Sequence, residues 1–235
     1  MARRRFFVDQ FHSQRAELTG EDAHHLTRVL RVERGQKFEV SDNRQVWLAE
    51  VTEAHKERVV FSLLEEVPLR PAVARLTLLV SVVKFDRMEW IFEKGTELGV
   101  ERFIPVIADR TEHGLEKAIN KRRDRWEKIL MESSQQCRRD RLPQLGDWLP
   151  FSDAVKMDGQ VRWLLDEDGG TPIAKAAPPM RLPTDQVLVL IGPEGGWTAR
   201  ERAAGWTRVT LGNQILRTET AAVAAAAIVD ALWAT

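Results

Sequence analysis

The chain has 235 residues, and its 35 Lys and Arg balance its 35 Asp and Glu, so the formal net charge is zero. A hydrophobic fraction of 43% and a charged fraction of 30% exclude extensive disorder and are typical of a globular protein. The zero net charge excludes a strong overall basic field, although basic residues can still be clustered locally.

Three features bear on the compartment. The single cysteine, Cys137, cannot form an internal disulfide, which indicates a reducing environment. The basic N-terminus lacks the apolar run of a signal peptide, and the apolar stretch 221–234 is too short to span a bilayer. A cytoplasmic protein without a membrane partner is therefore expected.

Residues 1–70 have the pattern of a small β-domain. Apolar and polar residues alternate in 37–40, 45–51 and 58–64, with turn residues between them and one short helical piece. Short strands at this spacing predict a small barrel. The two prolines of 68–71 then indicate a linker, which places domain boundaries at 1–70 and 72–235.

After the linker, strands and helices alternate. The predicted strands are 75–83, 103–107, 161–165, 187–191 and 208–211. The predicted helices begin at a cap at Asp86, near residue 118, after a capping box at Thr198, and near residue 220, whereas 169–183 is expected to be an exposed loop. This alternation predicts an α/β domain with a largely parallel sheet.

The first candidate site is the segment Ile191-Gly-Pro-Glu-Gly-Gly-Trp197, which joins a predicted buried strand to the helix capped at Thr198. Ligands in open α/β sheets bind outside the carboxyl ends of strands, and glycines allow a ligand to approach the backbone. The segment matches neither a phosphate-binding P-loop, nor a dinucleotide-binding fingerprint, nor a nucleophilic serine turn. A ligand-binding loop and a plain tight turn both remain open.

The second candidate segment, 211–220, again joins a strand end to a helix start through a glycine. Two such loops on consecutive strands would form one pocket, in which backbone groups hold an adenine and Ile215 and Leu216 cover its faces. Arg217 and Glu219 would lie at the mouth of the helix. Alternatively, these two residues form a surface ion pair, and Thr218 or Thr220 only caps the helix.

Together, Gly192-Pro-Glu-Gly-Gly196 and Leu216-Arg-Thr-Glu-Thr-Ala221 resemble the SPOUT (knotted α/β) RNA methyltransferases. More narrowly, they resemble the bacterial family that methylates N3 of a uridine in the 16S RNA of the small ribosomal subunit. Shorter matches follow in the same order over nearly the whole chain: His24-His25-Leu26, Arg28-Val-Leu-Arg31, Asp86-Arg-Met-Glu89, Thr96-Glu-Leu-Gly-Val100, Trp126, Gln136, Arg139 and Pro143. Departures from the family pattern are Gln135, Cys137 and Arg138 around Gln136, and Gly95 within Lys94-Gly-Thr-Glu97.

The resemblance implies an α/β fold in which a C-terminal domain with a trefoil knot binds S-adenosylmethionine and a small N-terminal β-barrel (PUA-like) domain contacts RNA. It also implies a homodimer acting on 16S ribosomal RNA within the small ribosomal subunit. The implied cofactor-binding residues are Leu165, Ile191, Gly192, Pro193, Glu194, Gly195, Gly196, Leu211, Gly212, Gln214, Ile215, Leu216 and Thr218. The implied RNA-binding residues are Arg3, Arg4, Arg5, His25, Arg28, Arg31, Gln136 and Arg139.

The chemistry of such a reaction limits the catalytic candidates. Loss of the N3 proton leaves negative charge on the two carbonyl oxygens of uracil, which a nearby cation would stabilise by about 3 kcal/mol. Arg217 is the first candidate for this cation, and Glu194 is a candidate to orient it, to take the proton through water, or only to hold the loop. A sulfonium donor needs no metal, and the histidines and the cysteine show no zinc spacing, so no metal is expected.

Basic residues are clustered at three places: the N-terminal arginines, Arg28 with Arg31 one helical turn away, and residues 117–141. Such clusters would contact phosphates, although an ordinary solvated helix face is the alternative for 117–141. Three other functions remain open: a non-catalytic RNA-binding or ribosome-assembly protein, a small-molecule enzyme with a nucleotide cofactor, and ribose 2′-O-methylation. Intact cofactor loops argue against the first, and the late position of the glycine loop argues against the second.

Overall fold

The structure, a computed structural model, describes residues 4–71 and 73–234. It contains two compact units. The first comprises Met1–Arg70 together with Ser134–Leu142, and the second comprises Pro71–Ser133 together with Pro143–Thr235. The pattern of the sequence predicts one domain over 72–235, whereas Ser134–Leu142 belongs with the N-terminal unit. Arg3 lies outside the described residues.

The first unit is built on a five-stranded sheet in the order β1-β3-β4-β5-β2, which curls into a half-barrel. Its strands are β1 (Arg5–Phe7), β2 (Arg15–Thr19), β3 (Lys37–Ser41), β4 (Val46–His55) and β5 (Arg58–Val67). Strand β1 runs parallel to β3, and the other pairs are antiparallel. Two irregularities in the β4–β5 register increase the local twist, which helps a small sheet to curl.

The core of this unit follows from the alternation of side chains along the strands. In β2, Ala16 and Leu18 are buried and their neighbours are exposed. They pack in one cluster with Val51 and Phe61 of the long central strands and with Leu26 of helix α1 (Gly20–Arg28). The three strands predicted in this region are thus confirmed, and the helical piece is α1.

Arg5 attaches the segment Ser134–Leu142 to this sheet. The buried guanidinium forms an ion pair with Glu39 at 2.9 Å and another with Asp140, and it donates a hydrogen bond of 2.8 Å to the carbonyl of Arg138. The hydroxyl of Ser41 donates to the Asp140 carbonyl at 2.7 Å. The expectation that Arg5 contacts RNA is therefore corrected: its donors are used inside the protein, and only 2% of the residue is exposed.

We expect Arg5→Met to destabilise the first unit by about 3–5 kcal/mol, because Glu39 and Asp140 would stay largely buried without their cation. Hydrogen–deuterium exchange, followed by mass spectrometry, would show faster exchange in peptides of β3 than in the wild type. Peptides from the second unit serve as the internal reference. Arg4→Met, at the exposed neighbouring position, is the matched control. Slow exchange in β3 combined with weaker RNA binding would instead restore Arg5 as an RNA ligand.

The second unit contains an eight-stranded sheet whose pairs are all parallel within the described residues. The order is β11-β13-β10-β12-β6-β7-β8, and β9 also pairs with β7. The strands are β6 (Arg75–Ser81), β7 (Arg102–Ile107), β8 (Gln144–Leu145), β9 (Leu149–Pro150), β10 (Val161–Leu165), β11 (Thr171–Pro172), β12 (Gln186–Ile191) and β13 (Thr207–Thr210). The predicted α/β class is confirmed.

The helices of this region are α2 (Phe85–Glu97), α3 (Leu115–Cys137), α4 (Phe151–Ala154), α5 (Ile173–Ala176), α6 (Ala199–Arg202) and α7 (Thr218–Trp233). Two local predictions are corrected. Helix α2 begins at Phe85 and its N-cap is Lys84, so Asp86 is not the cap. Asp86 lies in the first turn, where the helix dipole stabilises a carboxylate. The predicted loop 169–183 contains β11 and α5.

Strand β12 is central, and both of its faces are buried. Val187, Val189 and Ile191 belong to one apolar cluster, whereas Leu188 and Leu190 belong to another on the opposite face. This explains its continuous apolar sequence, which is typical of a parallel strand covered on both sides. Within the described residues, no helix has the length and apolar character needed to cross a membrane.

Candidate functional site

A cavity of about 580 Å³ lies at the carboxyl ends of β10, β12 and β13. Because these strands are parallel neighbours, the loops that follow them meet at one edge of the sheet. All of the residues predicted to bind the cofactor line this cavity: Leu165, Ile191, Gly192, Pro193, Glu194, Gly195, Gly196, Leu211, Gly212, Gln214, Ile215, Leu216 and Thr218. Its volume falls within the range of about 300–1,000 Å³ that small-molecule sites occupy.

The two predicted loops are held to each other and to β10 by hydrogen bonds. The hydroxyl of Thr218 donates to the carbonyl of Gly192 at 3.0 Å, which joins the start of α7 to the glycine loop (residues 192–197). The indole N–H of Trp197, a fully buried side chain, donates to the carbonyl of Leu165 at 2.7 Å. Thr218, considered from the sequence only as a helix cap or a cofactor-binding residue, therefore connects the two loops.

The far end of the glycine loop is fixed by α6. Thr198 and Glu201 form the predicted capping box, which is confirmed, and the buried Glu201 also accepts a hydrogen bond of 2.8 Å from the backbone N–H of Asp109. Arg110 donates to the carbonyl of Gly195 at 2.8 Å. The loop is thus anchored on both sides, so the cavity wall it forms is organised by the protein itself.

The glycines of the loop serve its own packing. A Cβ at Gly192 would lie 3.0 Å from the Trp197 ring, and one at Gly195 would lie 3.2 Å from Cβ of Arg110. A Cβ at Gly196, where φ is +68°, would overlap the Glu167 carboxylate. Among the glycines that line the cavity, Gly212 alone is a position where an added Cβ meets nothing within 4 Å, so that residue, on the second loop, leaves its backbone open to a ligand.

An acidic group forms another part of the wall. Asp166, whose side chain is fully buried, accepts hydrogen bonds from Arg202 at 3.1 Å and from Arg208 at 2.7 Å, and Arg202 also pairs with Glu167 and Asp168. Partial burial disfavours the charge on Arg202, yet the hydrogen bond and charge of Asp166, with its neighbours, raise the pKa of Arg202. The clustered carboxylates are therefore neutralised by arginines and hold the loop after β10.

Arg217 and Glu194, the predicted catalytic residues, both line the cavity but do not pair with each other. Arg217 is exposed at the N-cap of α7, and no carboxylate among the described residues forms an ion pair with it. Glu194 forms an ion pair with Arg87 of α2. Glu219 also faces Arg87, at 3.8 Å, so the alternative of an Arg217–Glu219 pair is not what the structure contains.

Several cavity residues were not predicted from the sequence. Arg87, Asp166, Glu167, Val209, Thr210, Asn213 and Ala221 also line it. Arg87 lies within the motif Asp86-Arg-Met-Glu89, for which the sequence alone indicates no role. Asp166 and Glu167 directly follow β10, so the rule that predicted the other two loops would have indicated them.

The described RNA-binding candidates all lie in the first unit. Arg4, His25, Arg28, Arg31 and Gln136 are exposed, and Arg139 is half-buried. Arg31 lies beyond the end of α1 and has a φ of +52°, so Arg28 and Arg31 are not one helical turn apart as expected. Because Ser134–Leu142 belongs to this unit, Gln136 and Arg139 are on the same unit as α1, and not in the C-terminal domain that the predicted boundary gives them.

Comparisons with known proteins agree with this arrangement. Residues 70–230 match the family model of the RNA methyltransferase domain, and residues 18–64 match that of the RNA methyltransferase PUA domain. The Ribosomal RNA small subunit methyltransferase E of Bacillus subtilis (strain 168) is 32% identical over 240 residues, covering 92% of this chain and 92% of that protein. Its namesake from Synechocystis is 33% identical over 224 residues, covering 92% of this chain and 72% of that protein.

Among solved structures, the Ribosomal RNA small subunit methyltransferase E of Neisseria gonorrhoeae bound to S-adenosyl methionine is similar over 99% of this chain and 98% of its own. The TM-score is 0.88 and the sequence identity is 30%. The likeness therefore extends through both units of the chain.

Proposed function

We propose that this chain, which belongs to the RNA methyltransferase family, transfers the methyl group of S-adenosylmethionine to N3 of a uridine in 16S ribosomal RNA. The observation that carries the proposal is the single cavity at the carboxyl ends of β10, β12 and β13, lined by both predicted loops and by Arg217. The relatives named above as small-subunit ribosomal RNA methyltransferases, one of them bound to S-adenosyl methionine, support the choice of cofactor and substrate.

The cavity residues suit an adenosine-containing ligand. Ile191, Leu211 and Leu216 provide apolar surface, while the backbone of the two loops provides N–H and C=O groups for a purine edge. Gly212 leaves its backbone accessible. When bound, S-adenosylmethionine supplies a methyl group on a sulfonium that is already electrophilic, so the residues need only bind, orient and stabilise charge.

Arg217 is the residue proposed to stabilise the deprotonated uracil. It is at the cavity, it is exposed, and its charge is not neutralised by an ion pair within the described part of the chain. A guanidinium beside the two carbonyl oxygens would stabilise the N3 anion. Removing one such donor from an enzyme typically costs about 3–4 kcal/mol of transition-state stabilisation.

Glu194 is proposed to hold the loop rather than to act on the base. Its carboxylate is already engaged by the Arg87 guanidinium in the wall of the cavity. Of the three roles that the sequence leaves open for Glu194, we therefore propose that it holds the loop. The proton acceptor is proposed to be solvent, with the rate supplied by Arg217 and by positioning.

The first unit is proposed to bind the RNA. Its exposed Arg4, His25, Arg28 and Arg31, with Gln136 and Arg139 on the attached segment, provide cations and hydrogen-bond donors for phosphates. The match of residues 18–64 to the PUA domain of RNA methyltransferases supports this assignment. The homodimer and the trefoil knot, which the resemblance implies, stay predictions, as do the metal-free mechanism and the cytoplasmic location expected from the residues.

The test is transfer of labelled methyl from S-adenosylmethionine to small ribosomal subunits that lack their native uridine methylation, beside naked 16S RNA. Digestion to nucleosides and mass mapping would identify the product. We expect N3-methyluridine, and the ratio of the two substrates would show whether the assembled subunit is preferred. A 2′-O-methyl product would contradict the position of transfer, and binding of RNA without binding of S-adenosylmethionine would favour the non-catalytic alternative.

A further inference from the structure

Arg87 joins three elements of the second unit at the cavity wall. It lies in the first turn of α2, and its guanidinium contacts carboxylates from two other places in the chain. It forms an ion pair with Glu194 of the glycine loop, and its Nε lies 3.8 Å from Oε1 of Glu219 in the first turn of α7. Its side chain is only 25% exposed.

The surroundings of Glu219 show why this cation is needed. Its side chain is 15% exposed, and its Oε2 is buried without a hydrogen-bond partner in the described structure. A buried carboxylate oxygen without a donor is costly unless a counter-charge is near. Arg87 is the counter-charge, and it is shared with the more exposed Glu194.

We propose that Arg87 is a positioning residue that sets the spacing of the two cofactor loops by holding Glu194 and Glu219 at one guanidinium. The planar fork of an arginine can serve two carboxylates at once, whereas a lysine offers one compact charge. Because its charge is used by both carboxylates, Arg87 acts on the loops rather than on the reacting atoms. This inference rests on the proposed function, since it assigns a role in donor binding.

The hydrogen bond between Thr218 and Gly192 links the same two loops directly, but it joins two uncharged groups and involves the first residue of the glycine loop. Arg87 adds a charged connection further along, at Glu194, from a helix that neither loop belongs to. Loss of this connection leaves the strands and their order unaffected. It frees two carboxylates to repel each other across the cavity wall, and the loops would separate there.

The test compares Arg87→Met and Arg87→Lys with wild type by calorimetric titration of S-adenosylmethionine in the absence of RNA. Arg125→Met is the matched control, because Arg125 of α3 pairs with Glu89 of α2 at 3.2 Å and does not line the cavity. We expect Kd to rise about tenfold or more for Arg87→Met, about threefold for Arg87→Lys, and less than twofold for the control. In the methyl-transfer assay, KM for the donor should rise with Kd while kcat at saturation changes less.

Glu194→Gln provides a second approach, since it removes one partner at a half-exposed loop position and leaves Arg87 paired with Glu219. We expect the double variant with Arg87→Met to bind the donor no more weakly than Arg87→Met alone, because both changes break the same connection. If Arg87→Met fails to fold, a loss of donor affinity in Glu194→Gln still supports the proposal. Wild-type affinity in folded Arg87→Met, or in Glu194→Gln when only that variant folds, would overturn it. Failure of the wild type to bind S-adenosylmethionine would instead refute the proposed function itself.

Discussion

Arg217→Ala is expected to reduce the rate of methyl transfer by about 100- to 1,000-fold, the loss typical when one preorganised donor to a developing anion is removed. The affinity for S-adenosylmethionine and the melting temperature should change little, because the side chain is exposed at the N-cap of α7 and holds no ion pair in the described structure. The measurement is single-turnover methylation of the RNA substrate together with calorimetric titration of the donor.

Arg200→Ala is the control for this variant. Arg200 is also an exposed arginine of the second unit, 79% exposed and paired with Asp109 at 2.6 Å, but it does not line the cavity. It should methylate RNA at the wild-type rate. Undiminished turnover in Arg217→Ala would remove that residue from the mechanism. A parallel loss of donor affinity would make it a binding residue instead.

Gly196→Val is expected to weaken donor binding by at least about tenfold through displacement of the glycine loop. The residue has a φ of +68°, which a β-branched side chain tolerates poorly, and its Cβ would overlap the Glu167 carboxylate. Glu167 cannot move away freely because Arg202 pairs with it at 3.0 Å. Titration of S-adenosylmethionine measures the effect without any RNA.

Gly205→Val is the control that separates the effect of backbone strain from the effect of the collision with Glu167. Gly205 has a φ of +80°, and a Cβ there meets nothing within 4 Å, so this variant carries the backbone strain without the collision. Both variants should lose about 1–2 kcal/mol of stability from the left-handed backbone. Only Gly196→Val should lose donor affinity, and equal affinity in the two variants would show that the loop does not define the site.

The two loops that line the cavity could be predicted because they follow from local sequence. A buried strand, a glycine and a helix start recur at 187–198 and at 208–218, and parallel strands bring such loops to one edge. The reason for the glycines could not be predicted in the same way. The spacing of the glycines indicates positions where a side chain is not tolerated. Only the structure shows that Trp197, Arg110 and Glu167 occupy the space beside these glycines.

The ion-pair partners of Arg87 and Arg5 could not be predicted from local sequence. Arg87 is distant in sequence from Glu194 and Glu219, and it meets them because β12 pairs with β6, the strand that precedes α2. Arg5 belongs to a basic cluster, a pattern that indicates RNA contact, yet its partners include Asp140, 135 positions away. In both cases the partners of a charged residue are determined by the tertiary fold, which no spacing rule contains.

The attachment of Ser134–Leu142 to the first unit has a consequence for the order of events during protein synthesis. The N-terminal sheet is complete in sequence at residue 70, but Asp140, the second carboxylate of Arg5, is made 70 residues later (140 − 70). At translation rates of about 5–20 residues per second, that interval lasts about 4–14 s. Throughout it, Arg5 in the nascent N-terminal sheet can form an ion pair only with Glu39, so this unit is expected to reach its final stability only after the whole first stretch of the second unit, Pro71–Ser133, has been synthesised.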